Sequence, residues 1–181
     1  LPFVRPMKIY AGGYDDIADA AIIVITAGAN QKPDETRLDL VHKNVSIFES
    51  IIPEITNRDY EGILLVVANP VDILTYTALK LSGYPENRVI GSGTVLDSAR
   101  LKYHLGEHLG VDSRSVHAFI VGEHGDSEVV AWSSANVSGV ELHKMCEMRG
   151  HYKHKENTEE IAANVKNSAY EIINKKHATY Y

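Results

Sequence analysis

The chain has 181 residues, 44% hydrophobic and 23% charged, with 13 Gly, 6 Pro and a formal net charge of −6. This composition suits a globular protein of one domain or one and a half. The acidic balance, with no long Lys/Arg run, excludes an obvious nucleic-acid footprint; no apolar run approaches the ~18 residues of a membrane span, and no signal peptide is visible. Cys146 is the lone cysteine, so no internal disulfide can form, and a reducing, cytoplasmic setting is expected. No Cys/His cluster has zinc spacing, so no metal site is expected. His151 and His154, in GHYKHKEN, read as part of a solvated loop.

The elements follow in order. MKIY (7–10) predicts a short strand. AAIIVITAG (20–28) is a fully apolar run closed by Gly, as in a strand buried on both faces of a parallel sheet. From Thr36, the apolar residues Leu38, Val41, Val45, Phe48, Ile52 and Ile55 recur every three or four positions, which predicts one face of a helix. Pro53 should bend or end that helix. GILLVVANP (62–70) predicts a second strand, Val71–Ser82 a helix stopped by Gly83, and RVIGSG (88–93) a third strand. The βαβα alternation implies a parallel sheet with helices on both faces. Beyond residue 92 the rhythm changes. A helix over 94–109 leads into the β-rich VHAFIVGEHG and EVVAWSSANVSGV, then an amphipathic helix over 157–176. That last helix should bury Ile161, Val165, Ala169, Ile172 and Ile173, with Asn157 and Glu160 as its capping pair. The fold class is thus α/β: a partial doubly wound, Rossmann-type parallel sheet over 1–91, then a mixed α+β domain over 92–181.

Ligands of open parallel sheets collect outside the carboxyl ends of the strands. There the chain places AGANQKPDETR (27–37), ANPVD (68–72) and GSGTVLDSAR (91–100), all rich in specific polar groups. His124 ends another β-rich run in VGEHGDSE (121–128), between Gly122 and Gly125. An imidazole placed there can exchange a proton near neutral pH. Asp97 and Arg100 lie three apart on one helix face. They read either as a surface ion pair or as an orienting carboxylate beside a fork for a substrate carboxylate. Arg37 closes a loop of the kind that folds over bound anions. Each of these residues, taken singly, has an ordinary structural reading.

Taken together, GANQKPDETRLDLV, ANPVDILTY, GSGTVLDSAR and GEHGD, in this order, resemble the bacterial L-lactate dehydrogenases of the lactate/malate dehydrogenase family. The likeness covers nearly the whole chain. It implies NAD-dependent interconversion of pyruvate and L-lactate, with His124 as proton donor and acceptor, Asp97 holding its imidazole and Arg37 polarising the carbonyl. Arg100 would pair with the substrate carboxylate, and Gln31, Asn69 and Thr179 would complete the substrate pocket. Asn44, Val67, Asn69 and Ser92 would contact the cofactor. The resemblance further implies a homotetramer and, at Lys102 and His117, a site for the activator fructose 1,6-bisphosphate, although Lys102 lacks the bidentate fork of the usual Arg. Malate dehydrogenases of the family carry Arg where Gln31 stands, so the neutral amide favours a substrate with one carboxylate.

Three features depart from the family. The G-x-G-x-x-G phosphate loop, and the acidic residue about 20 positions later, do not occur. Asp34 and His177 stand where Gly is common. The chain begins with Leu and ends at ATYY after a helix, which reads as an internal stretch of a longer subunit, inactive by itself. Two readings of different class follow: an NAD-dependent L-lactate dehydrogenase, with malate dehydrogenase as the variant that Gln31 disfavours, or a catalytically inert fragment.

Overall fold

The structure, a computed structural model, describes residues 7–29 and 37–176. The chain divides into two compact units, Leu1–Ser92 and Gly93–Tyr181.

In the first unit, β1 (Ile22–Ile25), α1 (Arg37–Thr56), β2 (Ile63–Val66), α2 (Val71–Ser82) and β3 (Val89–Gly91) build a parallel sheet of order β1-β2-β3. Ile22 is in register with Ile63 and Leu64 with Val89. Ile25, Leu64 and Val66 share a core with Phe48, Ile52 and Ile55 of α1 and Val71, Leu74 and Ala78 of α2. On the opposite face Ile22 and Val24 are exposed. The described helices of this unit therefore cover one face, not both. The cause is topological: right-handed crossovers between strands that advance steadily in one direction drop every helix on the same side. For the same reason β1, expected to be buried on both faces, is buried on one only.

Other sequence expectations meet local corrections. MKIY forms no strand, and Met7, Ile9 and Tyr10 are exposed. A strand needs a neighbour for its backbone hydrogen bonds, and none of the described residues pairs with it. Helix α1 continues through Pro53 and ends three residues later at Thr56, with one backbone hydrogen bond forgone at the proline. Leu38 is exposed because the first turn of α1 overhangs the core, while the polar Asn44 is wholly buried on the inward side. Asn44 is a clamp. Its Oδ1 accepts a hydrogen bond from the Ala29 N–H at 2.7 Å, and its Nδ2 donates to the Asn69 carbonyl at 2.7 Å. One amide thus ties together the loops that leave β1 and β2.

The second unit opens with α3 (Val95–Leu109), followed by β4 (Val116–His117), β5 (Ile120–Val121), β6 (Val129–Val130), β7 (Asn136–Val137), β8 (Val140–Glu141), α4 (Leu142–Met148) and α5 (His154–Lys176). The strands form two small antiparallel sheets, β4-β7-β8 and β5-β6. Leu101, Leu105 and Leu109 of α3 pack on Val116, Ala118 and Ile120, on Cys146 of α4, and on Ile161 and Val165 of α5. Helix α5 starts at His154, three residues before the expected start. Asn157 is therefore no cap: its N–H donates to the Lys153 carbonyl at 3.1 Å, inside the first turn. That turn is polar, so apolar periodicity does not register it. The far end of α5 reaches past the core, leaving Ile173 exposed, and Ala169 and Ile172 are half-buried. His151 and His154 are half-buried rather than solvated: the ring of His151 lies 4.1 Å from that of His108, and His154 lies 5.9 Å from His143.

The clamp gives a stability test. Asn44→Leu keeps the side-chain outline but orphans a part-buried N–H and a part-buried carbonyl, and should cost about 1–3 kcal/mol in urea denaturation. An unchanged midpoint would show that these loop ends are held by other contacts.

Candidate active site

The site is built from α3 upward. Helix α3 buries its leucines at every fourth position, which places Asp97 on the same inward side, 3% exposed. Two hydroxyls of its first turn fix the neighbouring strand. Ser98 Oγ accepts the Ile120 N–H at 2.9 Å, and Thr94 Oγ1 donates to the Ile120 carbonyl at 2.6 Å. The backbone leading into the 121–128 loop is thereby anchored on the helix that carries Asp97. Neither Ser98 nor Thr94 stood out in the sequence, since their partner is the backbone of a residue more than 20 positions away.

The loop then turns through Gly122 (φ 99°) and Gly125 (φ 141°), conformations that side-chain-bearing residues avoid. These turns deliver His124 to Asp97, with Nδ1 2.6 Å from Oδ2. The imidazole is neither hidden nor open, with 24% of its side chain exposed against 4% for Asp97. Arg100 approaches the other carboxylate oxygen, its Nη1 3.4 Å from Oδ1. Burial pushes the Asp97 carboxyl up, but the His124 hydrogen bond and charge, together with Arg100, outweigh it and hold the group below the usual carboxylate range. The two readings of the Asp97–Arg100 spacing thus coexist: an ion pair on one helix face, and a carboxylate turned inward onto an imidazole.

The trio extends to a residue that the sequence did not single out. Glu128 is 7% exposed, and its carboxylate, Asp97 and the His124 ring offer atoms all within 4.8 Å of one another. The 2.6 Å Nδ1–Oδ2 contact is a direct hydrogen bond, since an ion bound at about 2.1 Å to both atoms would hold them nearer about 3 Å apart. Burial and the Asp97 charge raise the Glu128 carboxyl above its ordinary range, against the opposing pull of His124.

The other expected site residues belong to the first unit, to other parts of the second, or to positions outside the described residues. In the first unit, Asn69 is exposed just past β2, Val67 and Ser92 are half-buried at the strand ends, and Arg37 begins α1. Ser92 donates its N–H to the Val66 carbonyl at 2.8 Å, and Val67 to Ile25 at 3.0 Å. Asn44 spends its amide on the loop clamp. Val67, Asn69 and Ser92 lie where the carboxyl ends of parallel strands open into loops. Gln31, Asp34, Thr179 and His177 lie outside the described residues. In the second unit, the Lys102 ammonium sits 5.0 Å over the Phe119 ring, and His117 is exposed. His117, Phe119 and Val121 alternate outward while Val116, Ala118 and Ile120 point to the core.

Comparison with known proteins bears on this geometry. Residues 1–91 match the family model described as lactate/malate dehydrogenase, NAD binding domain, and residues 94–181 match lactate/malate dehydrogenase, alpha/beta C-terminal domain. The L-lactate dehydrogenase of Acetivibrio thermocellus is 56% identical over 181 residues, covering 100% of this chain and 57% of the relative. That of Streptococcus thermophilus is 56% identical over 186 residues, covering 100% of this chain and 55% of its own length. Among solved structures, the minor L-lactate dehydrogenase from Enterococcus mundtii in the ligands-bound form superposes with TM-score 0.86 at 47% identity, over 94% of this chain and 54% of that one. A lactate dehydrogenase enzyme from a Medee basin deep-sea metagenome library gives TM-score 0.89 at 48% identity, over 98% and 56%. The chain thus spans little more than half the length of the relatives it matches. With both of its units matched along their lengths, the chain belongs to the lactate/malate dehydrogenase family.

Proposed function

We propose that the full-length protein interconverts pyruvate and L-lactate with NAD, and that His124 carries the proton. The observation that supports this reading most strongly is the buried Asp97 carboxylate bonded to His124 Nδ1 at 2.6 Å. NAD, when bound, supplies or accepts the hydride at the carbon bearing the oxygen. His124 gives the keto oxygen its proton in one direction and recovers it in the other. Asp97 fixes the imidazole's orientation and stabilises its protonated form, so charge developing on oxygen meets a cation already in place. Arg100 binds the substrate carboxylate, with Asp97 keeping its guanidinium near the imidazole.

The roles of Arg37 on the carbonyl, of Gln31, Asn69 and Thr179 in the substrate pocket, and of Val67 and Ser92 at the cofactor belong to the same proposal. Asn44 serves it by holding two loops together. On this reading residues 1–91 are part of the dinucleotide-binding domain and 92–181 part of the catalytic domain. Assembly as a homotetramer is also part of it, supported by the exposed apolar side chains Val95, Tyr103, Phe119, Val121 and Val129. No helix among the described residues is long and apolar enough to cross a membrane, in keeping with a cytoplasmic enzyme. Lys102 and His117 are the proposed contacts for fructose 1,6-bisphosphate, with Lys102 binding phosphate as a point charge.

Three outcomes are expected of the full-length protein. Asp97→Asn should lower kcat/KM for pyruvate reduction roughly a hundredfold or more. It should also move the loss of activity at high pH to lower pH, because the imidazolium loses its counter-charge. The wild-type carboxyl, held below the usual range, stays ionised as pH falls until it is protonated through that lowered value. A steady-state pH profile unchanged by the substitution refutes the role of Asp97. Gln31→Arg should shift kcat/KM from pyruvate toward oxaloacetate, and an unaltered ratio removes Gln31 from the pocket. Activity at low pyruvate should climb as fructose 1,6-bisphosphate is titrated in; a flat curve excludes regulation at Lys102 and His117.

A further inference from the structure

The proposed mechanism uses Asp97, His124 and Arg100 but leaves Glu128 without a task. A glutamate that closes an exposed loop would ordinarily face water. Glu123 and Asp126 of the same loop do so, whereas Glu128 is 7% exposed. It is buried against another buried acid, Asp97, with polar atoms of Glu128, Asp97 and His124 all within 4.8 Å. Two carboxylates so close, and so far from water, cannot both be charged without a large electrostatic penalty. Asp97 has the stronger claim to the charge, because it bonds His124 Nδ1 at 2.6 Å and Arg100 at 3.4 Å. The proton therefore belongs on Glu128.

A neutral carboxylic acid has one O–H to donate, and the Asp97 carboxylate lies within 4.8 Å of it. We propose that Glu128 is a positioning residue for the Asp97–His124 pair: its protonated carboxyl donates a hydrogen bond to Asp97 and pins the 122–128 loop onto α3. The Glu128 N–H donates to the Gly125 carbonyl at 3.1 Å, so the residue closes the turn that displays His124 as well as reaching across to Asp97. Asp97 is then held from three directions, by an imidazole, a guanidinium and an acid. The donated O–H withdraws charge from Asp97 and so limits how firmly that carboxylate retains the imidazole's proton. This matters for a group that must release its proton in each turnover. The titratable groups facing Glu128 among the described residues are Asp97 of α3, itself paired with Arg100, and His124 of its own loop. From α5, Lys166 donates to the Asp126 carbonyl and Tyr170 to the Asp126 carboxylate, which secures the exposed side of the same loop.

The inference rests on the proton-carrying role of His124, but its first test needs no substrate. A carboxyl that stays protonated only in the folded state makes folding take up a proton, so its contribution turns against stability as pH rises above the ordinary glutamate value of about 4.3. Glu128→Gln keeps the shape and an N–H donor but cannot ionise. In the full-length protein its melting temperature should match wild type near pH about 4 and exceed it increasingly toward neutrality. A difference that stays flat with pH shows that Glu128 titrates normally, and overturns the proposal.

The second test is functional. Glu128→Gln should retain kcat and the pH profile of pyruvate reduction. Glu128→Ala should lose kcat about tenfold with little change in KM, and should shift the profile upward in pH as Asp97 becomes more basic. The Nδ1 proton of His124, followed by NMR without cofactor, should move in the Ala variant and not in the Gln variant. Equal losses in both variants, or none in Ala, overturn the proposal. An inactive wild-type protein would instead overturn the dehydrogenase reading, leaving the melting comparison to decide Glu128 by itself.

Discussion

On the proposed reading, the chemistry of this protein depends on one contact, the hydrogen bond between a carboxylate that is almost wholly buried and an imidazole that keeps a quarter of its side chain exposed. Removing Asp97 from water disfavours its charge. The charge is kept because His124 and Arg100 face it from separate directions. The imidazole gains in return a fixed orientation and a counter-charge that stays ionised at acidic pH. Exposure is divided accordingly: the carboxylate is buried, and the imidazole, the proposed proton carrier, keeps a quarter of its side chain exposed.

Such a contact needs a rigid frame, and the second unit provides it by local means. The leucine repeat of α3 sets the rotation of the helix, and with it the direction of Asp97. Thr94 and Ser98 bind both backbone groups of Ile120, so the strand before the His124 loop moves with the helix. Positive φ angles at Gly122 and Gly125 let the loop reverse sharply enough to return His124 to α3. Glu128 closes the same loop. The first unit solves a similar problem differently: two loops leaving adjacent parallel strands are joined through one buried amide, Asn44, in place of a helix dipole or an ion pair.

Much of this was legible in the residues. Val71–Ser82, the 94–109 helix and the strands around Ile25, Leu64 and Val89 follow from periodicity and from punctuation by Gly, because burial of one face imposes those patterns. The site was legible as a set of chemical types: an acid, an imidazole and guanidinium groups in four recognisable motifs. What periodicity misses is whatever depends on a partner. MKIY has the composition of a strand but no neighbour to bond among the described residues. The polar first turn of α5 leaves no apolar trace, and Leu38 fits the helical repeat yet overhangs the core. Asn44, polar amid an apolar face, is buried only because two loop ends supply its partners.

The sequence by itself determined the family, the alternation of strands and helices, and the chemical types, an acid, an imidazole and guanidinium groups, on which the proposed function rests. Each of these is encoded by residue type and short-range order. The tertiary structure decided which face of the sheet the helices cover, since handedness and strand order act on the chain as a whole. It also decided that Ser98, Thr94 and Glu128 belong with Asp97 and His124. The bonds of Ser98 and Thr94 to Ile120 and the approach of Glu128 to Asp97 span more than 20 positions, join side chain to backbone or one acid to another, and no spacing rule records them; only the folded chain brings the groups within reach.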